Sequence, residues 1–181
     1  MASDCAGFAI SWCYQLTRHR PGFNKGSWAT VADDINCNSA LEDAQHRSEL
    51  FRLLAPDERP EPGDLLLYPT FSVKNAAGKN IRFIGHVGIV VGTKRVKDWA
   101  PGWNSYEQLD MAQCKGPGGR KPGVVLTDGS VWSHHDTVWP KKQHRSYLVR
   151  AHAEPRGPFQ APASTKPKAP KKKKKKPAKR R

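Results

Sequence analysis

The sequence predicts an α+β domain in which N-terminal helices pack on one face of a meandering antiparallel sheet. Helical apolar spacing is confined to the region before Leu54. After Arg59-Pro-Glu-Pro-Gly63 the texture becomes extended, in short runs separated by Gly and Pro. Helix and strand patterns do not alternate, which argues against a parallel sheet built from crossover helices.

The elements follow in chain order. From Ala2 to about Leu16, Ala9, Trp12, Cys13 and Leu16 recur at three- and four-residue spacing, with Ser3 or Asp4 placed to cap the helix. Cys5 then falls in the first helical turn. Arg20–Asn38 holds Pro21, Gly22 and Gly26 and reads as loop with at most one helical turn. A second helix is expected over Ser39–Leu54, opened by a Ser39/Glu42 capping box and carrying the stripe Leu41, Ala44, Phe51 and Leu54. Strands are expected over Asp64–Tyr68, Asn80–Val91, Leu109–Cys114, Val124–Leu126, Val131–Trp132 and Tyr147–Ala151, with Thr93–Gln108 as an enlarged loop. Asp64 is placed to tie down the turn before its strand and is given no chemistry. No internal repeat is visible.

A length of 181 residues and an apolar content of 37% fit one core-bearing domain, residues 1–153, and an appendage, residues 154–181. The formal charge of +15 is unevenly spread. Residues 161–181 hold eleven Lys and Arg and no acid, which leaves the preceding 160 residues with 20 basic and 16 acidic groups. The C-terminal segment, ending PKAPKKKKKKPAKRR, has too little apolar surface to offset its ordering entropy and is expected to be a disordered tail. Its chemistry is that of a ligand for anionic polymers: residues 166–181 bind by counterion release, whether the partner is an envelope surface or nucleic acid. The competing functional class is therefore a nucleic-acid-binding protein acting through this tail.

Four cysteines without paired CxxC spacing are too few for a disulfide framework and suit a reducing compartment. No run reaches the roughly 20 apolar residues of a membrane helix, and the N-terminus lacks the basic and then apolar layout of a cleaved signal. A monomer synthesised without a signal peptide is expected, needing no metal or cofactor.

Cys5 is the residue with the strongest chemical context. A thiol in the first turn of a helix meets the positive end of the helix dipole and backbone N–H groups, both of which favour thiolate. The flanking Asp4-Cys5-Ala6-Gly7-Phe8 leaves room for a substrate carbonyl. Further along, Ile84-Gly85-His86-Val87-Gly88-Ile89-Val90-Val91-Gly92 opens an apolar strand with an imidazole, which is placed to take the thiol proton if the strand packs near the Cys5 helix. An arbitrary cysteine is more often a buried structural thiol, and a histidine in an apolar strand more often a bonded core residue. Here the two occur together.

The ordered segments DCAGF, PGDLLLYP and GHVGIVVG resemble the DCSGF, PGDL and HVGI motifs of NlpC-type cell-wall cysteine peptidases and their CHAP amidase relatives, over about residues 4–115. Ala6 stands where Ser is usual, and the Cys-to-His interval is long. The resemblance implies a papain-like α+β fold, Cys5 as nucleophile, His86 as general base and the Cys5 N–H in an oxyanion hole. It implies hydrolysis of an amide bond in peptidoglycan peptide or a related substrate, or acyl transfer by the same thiol. Such an enzyme would be delivered to the envelope by a holin or a secretion system. It also implies a polar residue on the strand after the histidine strand, orienting the imidazole. Gln113 is the preferred candidate, and His134, His135 and Asp136 form the competing cluster.

Two other readings are open. Cys114 with His134 and His135 suggests zinc, but adjacent histidines in a strand point to opposite faces and no second ligand pair supports them. Trp99, Trp103, Trp132 and Trp139 either line a substrate cleft or cap a small core.

Overall fold

The computed structural model describes residues 5–18, 35–75, 77–93, 106–115, 123–137 and 145–153, apart from the side chains of residues 17, 115 and 134–137. The expected caps Ser3 and Asp4, Trp99, Trp103, Trp139 and the basic tail lie outside these residues.

Helix α1 (Cys5–Thr17) begins on the predicted nucleophile. Its buried stripe is Ala6, Ala9, Ile10 and Cys13, whereas Trp12 and Leu16, expected inside, are exposed. The small residues face the sheet and allow the helix axis to come close to it.

The second helix is much shorter than expected. α2 (Cys37–Glu42) is capped by Asn36, whose side chain accepts from Asn38 N and Ser39 N, while Ser39 Oγ accepts from Asn36 N at 2.8 Å. Ser39 is thus the third residue of the capping box, not its cap. One π-turn over Asp43–Arg47 follows, and the chain leaves it through Ser48 in the left-handed region, φ 53°. The cause of the stop is Asp43, fully buried. Its carboxylate accepts from Glu49 N at 3.1 Å, Leu50 N at 2.9 Å and Phe51 N at 2.8 Å, gathering backbone groups that a continuing helix would have bonded internally. Phe51, expected on a helical stripe, instead starts β1 (Phe51–Leu53).

The remaining strands are β2 (Leu65–Tyr68), β3 (Phe71–Lys74), β4 (Asn80–Phe83), β5 (His86–Gly92), β6 (Asp110–Lys115), β7 (Gly123–Asp128) and β8 (Tyr147–Ala151). β1 and β3 were not expected from the sequence. Six strands form one antiparallel sheet in the order β1-β8-β2-β5-β6-β7, and β3 and β4 make a separate hairpin. The expected single strand Asn80–Val91 is therefore two, broken at Ile84-Gly85, where Thr70 Oγ1 takes the Gly85 N–H at 3.1 Å. Val131–Trp132 is not a strand but part of α3 (Ser130–Thr137), which opens with Asp128 Oδ1 accepting from Ser130 N at 3.0 Å. A two-residue apolar run carries no period by which a strand can be told from a helix.

Alternation along the strands gives the sheet two apolar faces. One side carries Leu65, Leu67, Val87 and Ile89 against α1 and α2. The other carries Leu66, Tyr68, Val90 and Met111 against Trp132 of α3 and Tyr106. Helices therefore cover both faces, where one was expected.

The PGDL segment fixes β2 beside β5. Gly63 N donates to Val90 O and Val90 N donates to Asp64 O, each at 2.8 Å, and the register that follows sets Tyr68 opposite His86. Asp64 does close the preceding turn, accepting from Glu61 N at 2.8 Å. It also pairs with both Arg150 Nε and Nη2, at 2.7 and 2.8 Å, which ties β8 to the start of β2. Among the described residues no helix is long and apolar enough to cross a membrane.

Candidate active site

His86 is the first residue of β5, and its position follows from the register on both sides. Tyr68 pairs with it from β2, and Gly88, two residues on, pairs with Gln113 of β6. His86, Gly88 and Gln113 therefore project from the same face. Gln113 Oε1 lies 2.7 Å from His86 Nε2. Because a side-chain carbonyl only accepts, this contact places a proton on Nε2 and leaves Nδ1 for a second partner.

That partner comes from the opposite face of the sheet. α1 packs on the Val87 side, and its first residue, Cys5, arrives at the strand end where His86 begins, with Sγ 4.0 Å from Gly85 O. The Cys5 thiol is pulled down from 9.0 to about 4. A side-chain hydrogen bond with Cys37 is the largest cause, burial works against it, and the hydrogen bond and charge of His86 add to the lowering, as does the Val87 N–H. His86 moves the other way. Burial opposes its protonation, but hydrogen bonds to Cys5 and Gln113 and the negative charge on Cys5 carry it above its ordinary value of 6.5. The two shifts describe one thiolate–imidazolium pair.

Two glycines make room for this arrangement. A Cβ on Gly85 would stand 2.9 Å from Cys37 Cβ and 3.0 Å from Tyr68 O. A Cβ on Gly88 would stand 2.7 Å from the Trp132 ring. That ring is fully buried and stacks on His86, centroids 5.4 Å apart and planes 22° apart. Of the two readings of Trp132, the core one holds, and the core it fills includes the imidazole.

The sequence-predicted residues Cys5, His86 and Gln113 are brought together. The competing cluster His134, His135 and Asp136 has a helical backbone in α3 where a strand end was expected, and its side chains lie outside the described residues.

Three neighbours of the pair were not assigned from sequence. Cys37, buried at the start of α2, is the largest cause of the lowered Cys5 thiol. Tyr68 is buried with its ring 6.1 Å from His86, and its phenol is pushed up to about 12 by burial first and then by negative charge at Cys37 and Cys5. It therefore stays a neutral hydrogen-bond donor. Trp132 holds the imidazole face. Trp132 was named from the sequence only as a cleft or core residue, and the PGDLLLYP run placed Tyr68 at the end of a strand two motifs share.

The other thiols contrast with Cys5. All four cysteines are among the described residues and none is in a disulfide. Cys13, fully buried, is pushed up to about 12 by burial and then by the Asp64 charge. Comparison with known proteins gives no match to any family model, any curated protein or any solved structure.

Proposed function

We propose that this chain is a cysteine hydrolase of papain-like, NlpC-type architecture that cleaves an amide bond in peptidoglycan peptide or a related peptide substrate. The observation that carries the reading is the assembly of a lowered thiol, a raised imidazole and a carboxamide in series, Cys5–His86–Gln113, with the thiol at a helix start. The order of DCAGF, PGDLLLYP and GHVGIVVG supports the same family and its substrate class.

In this mechanism the Cys5 thiolate attacks the scissile carbonyl, and the carbonyl oxygen becomes an oxyanion. The start of α1 leaves the Cys5 N–H without an intrahelical acceptor, so it is oriented to receive that charge. The imidazolium of His86 gives its proton to the leaving amine through Nδ1. Water then enters, His86 takes its proton, and the acyl group leaves as a carboxylate. Gln113 holds the ring by Nε2 throughout. The polybasic residues 166–181 would concentrate the enzyme on an anionic envelope surface.

The pH dependence tests the ion pair. The thiolate forms as pH rises through about 4, and the imidazolium is lost as pH rises through a value above 6.5. Activity should therefore follow a bell whose acid limb lies near 4 and whose alkaline limb lies above the ordinary histidine range. Iodoacetamide at pH 5.5 should label Cys5 ahead of Cys13, Cys37 and Cys114. A Cys5 that alkylates only as an ordinary thiol does, near pH 8.5, would sink the proposal.

Gln113 acts through His86, so replacing it should change the rate and not substrate affinity. Gln113→Ala is expected to lower kcat by about 10- to 100-fold with KM nearly unchanged, and to shift the alkaline limb downward because one cause of the raised His86 is removed. An unchanged alkaline limb would assign Gln113 a packing role only.

A further inference from the structure

Cys37 has no role in the hydrolytic steps, yet it does most to lower the thiol of the nucleophile. The two thiols come from different helices, Cys5 opening α1 and Cys37 opening α2, and they flank one residue. Cys5 Sγ is 4.0 Å from Gly85 O, while Cys37 Cβ is 2.9 Å from the point a Gly85 Cβ would occupy. α2 is held there by a relay: Asn38 Oδ1 accepts from Thr70 N at 2.7 Å, and Thr70 Oγ1 accepts from Gly85 N at 3.1 Å. Both side chains pack in the same apolar cluster as Ala6, Ala40 and Val87. Cys37 is also the largest cause of the lowered Cys5 thiol.

We propose that Cys37 is a resolving thiol for Cys5, so that a peroxide closes a Cys5–Cys37 disulfide that switches the site off reversibly. The inference rests on Cys5 being the nucleophile of the proposed function, but not on any substrate.

The chemistry balances with hydrogen peroxide as oxidant. The Cys5 thiolate attacks one peroxide oxygen, the O–O bond breaks, and the departing hydroxide takes a proton from the His86 imidazolium and leaves as water. Sulfur is oxidised to sulfenic acid and peroxide is reduced. The Cys37 sulfur then attacks the sulfenic sulfur, an S–S bond forms, the S–O bond breaks, and the hydroxide leaves with the Cys37 proton as a second water. Two thiols and one peroxide give one disulfide and two waters. A dithiol reductant reverses the result by exchange.

Selectivity follows from the surroundings. Cys5 is half-buried and poised as thiolate, whereas Cys13 and Cys114 are buried, and Cys13 is held as a thiol by its apolar setting. Oxidation should start at Cys5, and Cys37 is the thiol at hand to stop it before the irreversible sulfinic acid.

The test uses the full chain, a small molar excess of hydrogen peroxide that suffices for the second oxidation to sulfinic acid, and tryptic mass mapping without reductant. The expected product links peptide 1–18 to peptide 26–47, and fragment sequencing assigns the bond to Cys5 and not Cys13. Hydrolytic activity should fall at least tenfold and return with dithiothreitol. In Cys37→Ser the same exposure should yield Cys5 sulfinic acid and a loss that dithiothreitol does not restore. A wild-type chain whose Cys5 goes to sulfinic acid unlinked, or links to Cys13 or Cys114, overturns the inference. The mapping decides even if Cys37→Ser does not fold. A linked pair in a chain that hydrolyses nothing keeps this inference while defeating the hydrolase reading.

Discussion

Cys5→Ala is expected to reduce amide hydrolysis by about 10³-fold or more, because the thiolate that forms the acyl-enzyme is removed. The fold should be retained. Cys5 is half-buried at the first position of α1, and the apolar contacts of that helix are made by Ala6, Ala9, Ile10 and Cys13 behind it. Removing the sulfur also leaves His86 without the charge that raises it, so the histidine should titrate lower in the variant. The measurement is release of free amine from a muropeptide-type substrate, paired with thermal melting and a histidine titration by NMR. Residual activity above about one hundredth of wild type, in a folded Cys5→Ala, would remove the acyl-enzyme mechanism.

Asp43→Ala is expected to have the largest effect on stability. The Asp43 carboxylate accepts three backbone N–H groups, and two of these, on Leu50 and Phe51, belong to residues with no exposed surface. Alanine leaves those donors buried and unmet, at a cost of roughly 1–3 kcal/mol each. The total, about 2–6 kcal/mol, is a large part of the roughly 5–15 kcal/mol that holds a typical domain together. Asp43→Asn keeps one acceptor oxygen and should lose about half as much. Denaturant unfolding measures both. A loss under about 1 kcal/mol for alanine would mean that water reaches the turn and replaces the carboxylate.

Asp43 also shows why part of the fold was not legible in the sequence. The segment Ser39–Leu54 has a helical apolar period, but the period does not reveal that one buried acid collects the amides of residues 49–51 and turns the chain into β1. A tertiary hydrogen-bond pattern overrode local spacing. The split of Asn80–Val91 has a similar origin. Both halves are apolar enough for strand, and the break at Gly85 exists because Tyr68, Thr70 and Cys37 crowd that point. Val131–Trp132 was too short for its period to speak.

The site was more legible than the fold around it. Cys5 and His86 sit at a helix start and a strand start, positions that follow from order and pattern, whereas Gln113 on the neighbouring strand was named from what the resemblance implies. Cys37 and Tyr68 were not assigned to the site. Cys37 lies in a stretch without periodicity, and nothing before the structure marked it for chemistry. Its meaning comes entirely from the side chain it faces.

The placement of the pair on two faces of one sheet has a consequence for how function and folding are linked. The sulfur arrives with the layer formed by α1 and α2, and the imidazole is braced by Trp132 and Gln113 in the other layer. The Cys37 contribution to the lowered thiol stays within the first layer, whereas the pairing of that thiol with His86 needs both. A chain that has docked only one layer has the thiol without its base, so the complete pair exists only where both layers lie on the sheet.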